Sequence, residues 1–327
     1  VALKRRLRRA TIKLGIGALC ALIAACGGVQ LDTISRYPRH PQTSQAIERL
    51  QSDDKLLQKE ARVELIALGS GAMPDLAEKF EQASPEEKLA MLDIAISIRE
   101  PTSILVRLFT LAAKDSSPPL RQFVAYRSSL FPALEPSLAP IVRSLLSDDV
   151  PAVRAAAITT LGNYTPPQAL ESRELLPLMS DENLQVASAA AAVAIGRPEE
   201  PVQRMARAVL PNLVGGLKST STAERAAVIY AIGKYGIVAT PAIRPLTEIL
   251  ASDPDIEIQV QAAVALMKIG SREAQESARP ALESFANGED PALAQAAQTI
   301  LQRYPGTTLM RQPALQQPQG LAPQPEG

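Results

Sequence analysis

Few side chains in this sequence could do covalent or metal chemistry. Its 327 residues hold one histidine, His40, and two cysteines, Cys20 and Cys26. A zinc site needs several His, Cys or carboxylate groups converging on one point, and Ser-His or Cys-His nucleophiles need an imidazole base beside them. His40 lies in Pro38-Arg39-His40-Pro41, a stretch without apolar period, where it reads as a solvated side chain. The acidic pairs Asp53-Asp54, Glu86-Glu87, Asp148-Asp149 and Glu199-Glu200 fall near expected turns or helix starts, where carboxylates offset the helix dipole. Gly27-Gly28 and Gly215-Gly216 lack the strand-loop-helix setting and the longer glycine pattern of a phosphate loop. No catalytic residue, cofactor or metal site is expected, so the chain reads as a binding protein and not an enzyme.

Cys26 has a context of its own. Six basic residues (Lys4, Arg5, Arg6, Arg8, Arg9 and Lys13) precede or abut the 12-residue apolar stretch Leu14–Ala25, and Ile23-Ala24-Ala25-Cys26-Gly27 follows at its end. Twelve residues suit a signal-peptide core and fall short of the ~20 that a spanning helix needs. This order resembles the lipobox of bacterial lipoprotein signal peptides. The resemblance implies that residues 1–25 are removed and that Cys26 carries two or three acyl chains, palmitate among them. Each buried methylene contributes ~0.8 kcal/mol, so that number of chains holds a protein on a membrane. Gly27 is not the aspartate that retains enteric lipoproteins in the inner membrane. The expected location is therefore the cell envelope, at the outer membrane in an organism that has one.

Loss of residues 1–25 leaves 28 Lys and Arg against 34 Asp and Glu, a net charge of −6. An acidic chain argues against a nucleic acid partner, since phosphate binding needs a basic face. Cys20 leaves with the signal, so no intramolecular disulfide is expected. Residues 26–43 read as a flexible tether spanning roughly 25 Å. Residues 305–327, with five Pro and five Gln, read as a disordered tail.

Between them lies an internal repeat. With Val153 as position zero, small or aliphatic residues fall at +4 and +8, and an aliphatic or aromatic one at +11, all on one helical face. The frame recurs from Leu57, Glu87, Leu120, Leu184, Glu224, Ile258 and Leu293. Successive zeros are 30, 33, 33, 31, 40, 34 and 35 residues apart. Proline stands 13 before zero at Pro74, Pro140, Pro211, Pro245 and Pro280, where it is expected to introduce a leading helix such as Ile243–Leu250. Asp253-Pro254 and Asp290-Pro291 read as helix N-caps ahead of a first-turn proline, with Ser84-Pro85 and Ser117-Pro118 as weaker versions. Gly69, Gly196, Gly236 and Gly270, all at +12, suit left-handed helix ends. Tyr164, Tyr235 and Tyr304 share the +11 position with aliphatics and are expected to pack between repeats. Arg121, Arg154 and Arg225 at +1 are expected to bond a neighbouring turn.

The segments PIVRSLLSDDVPAVRAAAITTLGNY and RPLTEILASDPDIEIQVQAAVALMKIG resemble HEAT repeats: a Pro–Leu helix, an Asp turn, Val-Arg, then Ala-Leu-Gly. The resemblance covers residues 44–304 and implies an all-α fold, an α-solenoid of about eight helix pairs. The +1 arginine of the pattern is replaced by Gln58, Lys88, Gln185, Gln259 and Ala294, so the ladder of side chains between repeats is incomplete. Pro177 stands only seven before Leu184, which predicts a shortened leading helix and a distortion there. The iron-dependent hydroxylases built on such repeats need several His-Glu pairs, and the sequence has none.

An extended repeat surface with few chemical groups implies a monomeric scaffold that binds a protein or peptide partner. Two other functions fit the same fold: a bilin-lyase-like or other enzyme-associated role, against which the export signal counts, and an envelope assembly chaperone. Positions +2, +6 and +9 of the second helices are apolar where a solvated face would be charged. They single out Val186, Val193, Tyr230, Val260, Val264 and Met267 as either a buried second face or a partner groove.

Overall fold

The computed structural model describes residues 40–305, apart from Pro101 and Pro167. The expected signal segment, Cys26, most of the expected tether and the expected tail from residue 306 lie outside the described residues. Sixteen helices and no strand occur among the described residues, and they pair as the repeat frame requires. The pairs are α1 (Thr43–Leu50) with α2 (Lys55–Ala67), α3 (Met73–Phe80) with α4 (Pro85–Ile98), and α5 (Ser103–Ala112) with α6 (Pro118–Arg127). Next come α7 (Glu135–Ser144) with α8 (Pro151–Asn163), α9 (Ser172–Leu178) with α10 (Leu184–Ala194), and α11 (Glu200–Gly216) with α12 (Thr222–Lys234). The last are α13 (Ile243–Ser252) with α14 (Ile256–Ile269), and α15 (Arg272–Ala286) with α16 (Pro291–Arg303). This is an α-solenoid. The chain divides into two compact units, Val1–Glu174 and Leu175–Gly327, and the division falls within α9.

In the first unit the even-numbered helices α2, α4, α6 and α8 stack in order, and α1, α3, α5 and α7 stack beside them. In the second, α10, α12 and α14 stack, while α13 packs on α15 and α15 on both α14 and α16. The +4 residue is the centre of each contact. Ala61, Met91, Val124, Ala157, Ser188, Val228, Ala262 and Ala297 are all 0 % exposed. No single helix pair can bury that stripe alone, so stability comes from the neighbour. Thr160 and Tyr235 add hydrogen bonds across a repeat, the first to the Ala125 carbonyl (2.6 Å) and the second to the Ala206 carbonyl (2.6 Å).

A polar ladder runs along the turns. Lys88 Nζ pairs with Asp115 (2.8 Å), 27 residues ahead in the next turn. Arg121 does the same with Asp148 (2.6 Å), again 27 ahead, and donates backwards to the Asp115 and Ser116 carbonyls. Arg154 donates to the Asp148 and Asp149 carbonyls. In the second unit Arg225 pairs with Asp253 (2.9 Å) and donates to the Ser219 and Thr220 carbonyls, and Gln259 donates to the Asp253 carbonyl (2.7 Å). Each aspartate also accepts the backbone N–H two residues on: Ser117 to Asp115, Val150 to Asp148, Asp255 to Asp253. One carboxylate thus shapes its own turn and ties it to the preceding repeat.

Four local expectations need correction. Asp253 is not the cap of α14; Asp255 is, accepting from the Glu257 N–H (2.9 Å), because Asp253 is spent on the turn and on Arg225. Ser84 forms a full capping box with Glu87, whereas Ser117 makes no side-chain cap bond. Pro140, Pro211 and Pro280 lie inside α7, α11 and α15, since those helices begin turns earlier than the prolines suggest. Gly69, Gly236 and Gly270 have left-handed φ of 59°, 55° and 77°; Gly196 does not, and the equivalent +12 position of the second repeat is Arg99, with φ 59°.

The shortened unit appears as predicted from Pro177. Its leading helix α9 is only seven residues long. In α10 the frame shifts: Val186, Ala187, Ala190, Ala191 and Ala194 join Ser188 in the core, while Ala192 at +8 is half-buried. In the first unit, Arg143 of α7 pins the connection into α9 by donating to the Gln168 and Ala169 carbonyls and pairing with Glu174.

Three outcomes follow. Arg225→Ala leaves a nearly buried Asp253 without its cation, and should cost about 3 kcal/mol of unfolding free energy in urea titrations. Arg121 holds the Asp148 carboxyl below the usual aspartate value through its hydrogen bond, against the opposing effect of burial. That contribution is complete above the ordinary aspartate range and is lost as pH falls below about 4, so Arg121→Gln should flatten the acid limb of thermal melts. Arg99→Gly should instead raise the unfolding free energy in urea titrations by roughly 0.5–1 kcal/mol, because a left-handed backbone costs a side-chain-bearing residue ~1–2 kcal/mol and glycine's extra chain entropy offsets part of it.

Candidate functional site

The six groove candidates do not share one fate. Val186 is 0 % and Met267 1 % exposed, so neither belongs to an open groove. Val186 sits in the rotated register of α10, a helix that packs on both α11 and α12. Met267 lies on α14, which α12, α13 and α15 enclose on three sides, so its buried arc is wider than one stripe. Val193 is half-buried on α10, apart from the others. Tyr230, Val260 and Val264 come together.

They meet between α12 and α14. Ser221 starts α12 by accepting the Glu224 N–H, and Asp255 starts α14, which fixes the phase of both helices. Near their C-terminal ends Gly233 faces Ala265. A Cβ on Gly233 would lie 3.4 Å from the Ala265 Cα, so two small residues let the backbones approach. Beside this contact is an apolar cavity of about 130 Å³, lined by Ile229, Tyr230, Val260, Gln261, Val264 and Lys268. Small-molecule sites run to roughly 300–1,000 Å³, so this one takes a side chain and not a cofactor.

Tyr230 is the accessible wall of the cavity, at 48 % exposure. Two cations flank its ring: Lys234 Nζ is 5.3 Å and Lys268 Nζ 5.7 Å from the centroid, within cation–π range. Burial pushes the Lys268 ammonium below its usual pKa, and the charges of Lys234 and Arg303 push it the same way. The two lysines were absent from the sequence-derived set, which sought apolar faces. Their signal was present: Lys234, Lys268 and Arg303 all stand at +10 of the repeat frame.

The other residues with chemical potential are structural. Tyr164 and Tyr235 are both 5 % exposed, and burial raises both phenols, that of Tyr164 to about 12. Gly216 closes the end of α11 against Leu184 and Val228, where a Cβ would come within 3.1 Å of each. In the first unit, Phe123, Tyr126 and Leu130 of α6 and the turn after it form a shallower apolar patch, with Arg127 5.6 Å from the Phe123 ring. Among the described residues no group of three or more His, Cys, Asp or Glu is placed to hold a metal ion, and no helix is long and apolar enough to cross a membrane.

Family models for HEAT repeats match residues 138–166, which take in most of α7 and all of α8, and residues 210–302, from the end of α11 to α16. These segments are HEAT repeats. No curated protein matches the chain. Among solved structures the chain is similar to human deoxyhypusine hydroxylase in complex with glycerol, at 18 % identity over 81 % of this chain and 96 % of that one, with a TM-score of 0.34. An engineered protein matches at 17 % identity over 80 % and 78 %, with a TM-score of 0.37. A designed armadillo repeat protein in complex with the peptide (KR)4 matches at 17 % over 81 % and 100 %, with a TM-score of 0.30. The groove therefore lies wholly within the longer HEAT segment.

Substitution by glutamate should separate the candidates. Val186→Glu buries a charge among alanines and should lower stability by more than about 3 kcal/mol. Tyr230→Glu, on the surface, should stay within roughly 0.5 kcal/mol of the parent. Parallel urea titrations check both.

Proposed function

We propose that this protein is a lipid-anchored binding protein of the cell envelope, using the α12–α14 face of its HEAT repeats to hold a protein or peptide partner, and that it is not an enzyme. One observation carries the binding role: a side-chain-sized apolar cavity beside a half-exposed aromatic, on a helix face that a solvated surface would cover with charge. Tyr230 has the properties of an interface anchor, with large apolar area and few rotatable bonds to immobilise. The anchor rests on the basic N-terminus, the short apolar stretch and Ile23-Ala24-Ala25-Cys26. Lipid on Cys26, with the outer membrane as its location where one exists, would place the repeats beside a membrane at the end of a short tether.

The test has two arms. Cells fed a clickable fatty acid should label the wild-type chain, and Cys26→Ala should abolish the label and leave an unprocessed precursor. Label persisting in Cys26→Ala would end the anchor reading. Affinity capture from envelopes with wild-type and Tyr230→Glu protein should then recover a partner with the first and lose it with the second, at equal melting temperature. Equal recovery by both would remove the α12–α14 face from the function.

A further inference from the structure

The apolar cavity is bordered by charge of one sign. Lys234, Lys268 and Arg303 occupy the same +10 position on α12, α14 and α16. None of the three makes an ion pair or a hydrogen bond among the described residues; the two lysines lie over the Tyr230 ring. Three basic residues of the +1 ladder, by contrast, are paired with acids: Lys88 with Asp115, Arg121 with Asp148 and Arg225 with Asp253. Nor does an acid share this face. The +2, +3, +6, +7, +9 and +10 positions of the three helices carry no Asp or Glu. A net-acidic mature chain thus keeps one apolar cleft edged by unpaired cations.

From this arrangement we infer that the partner of the α12–α14 face is an acidic, extended segment of another protein, seating one apolar side chain in the cavity and its carboxylates on Lys234 and Lys268. This rests on the binding role proposed above and specifies its ligand. Geometry sets the spacing. Packed helices stand ~8–10 Å apart, and an extended or polyproline chain advances about 3.1–3.4 Å per residue. A strand crossing from α12 to α14 therefore meets one cation every third residue, and polyproline II geometry returns the same side to the surface at that interval. Carboxylates at i and i+3 would face the two lysines, with a third, further along the segment, toward Arg303. An anionic lipid headgroup could also meet cations, but it would present no side chain to fill a cavity walled by Val260, Val264 and Tyr230. A carboxylate near Lys268 also relieves the repulsion that Lys234 and Arg303 exert on its ammonium.

The experiment uses the full chain and a fluorescent ten-residue synthetic peptide, with Glu at positions 2, 5 and 8 and Leu at position 4. Controls are the same peptide with Gln for Glu, and vesicles of phosphatidylglycerol and phosphatidylcholine. Anisotropy should show binding of the Glu peptide that weakens with salt, and weaker binding of the Gln peptide. Lys234→Glu and Lys268→Glu should each reduce affinity by about tenfold, the equivalent of 1.4 kcal/mol, with melting temperatures unchanged. Equal affinity for the Gln peptide, no effect of either charge reversal, or vesicle binding that the two reversals weaken but the peptide does not compete would each overturn the inference. If envelope capture fails with Tyr230→Glu but survives both lysine reversals, the binding face stands and only its acidic ligand falls. If capture survives all three, the face itself is not the binding site.

Discussion

A single small or slender side chain at one position of every second helix sets how closely neighbouring repeats can lie. The eight +4 residues range from alanine to methionine, yet all are wholly buried, so each is matched to its neighbour and not to a fixed size. Everything else in the array depends on that approach. The turn aspartates can reach the basic residue of the previous repeat only because the helices are already in contact. The phenol of Tyr235 reaches the Ala206 carbonyl for the same reason. Ser188 is the exception among them, a buried hydroxyl with no hydrogen-bond partner among the described residues, beside the alanines and valine that α10 buries, and it falls in the unit whose leading helix is shortest.

The groove between α12 and α14 is a by-product of this packing. Gly233 against Ala265 brings the helix ends together, and the larger Tyr230, Val260 and Val264 then leave a cleft that no side chain of the array fills. Two of the surrounding cations stand over the same ring. Their unpaired state contrasts with the ladder on the turns, where Arg121 and Arg225 at +1 each find both a carboxylate ahead and carbonyls behind. Two sets of periodic charges thus coexist, one neutralised within the fold and one left for solvent or a ligand.

Much of the fold was legible because helical stacking repeats a physical requirement every 34 residues or so, and the +4, +8 and +11 offsets report it directly. What was less legible involved competition between neighbours. Asp253 looks like a cap from sequence, and only the presence of Arg225 28 residues earlier diverts it to another role. Proline marks the middle of α7, α11 and α15 as readily as a start, because Pro140, Pro211 and Pro280 all stand on the exposed side of their helices, where water can take the carbonyl left without its backbone partner. Of the groove residues, Tyr230, Val260 and Val264 lie in one cleft, whereas Val186 and Met267 are enclosed by extra neighbours that periodicity alone does not count. The lysines were readable at +10 but belong to a charge pattern, not an apolar one.

Burial is uneven along the second unit. Seven residues of α14 are buried, but only Ala297 of α16. In a one-dimensional array local opening is cheapest where a helix has fewest buried contacts. Amide exchange should therefore spread inward from α16, with α14 among the last to open. Lys234 and Lys268 then stand on a persistent platform while Arg303 rides on the part that loosens first. A ligand engaging all three would slow exchange at α16 far more than at α14, so occupancy of the cleft would be felt as order at the far end of the stack.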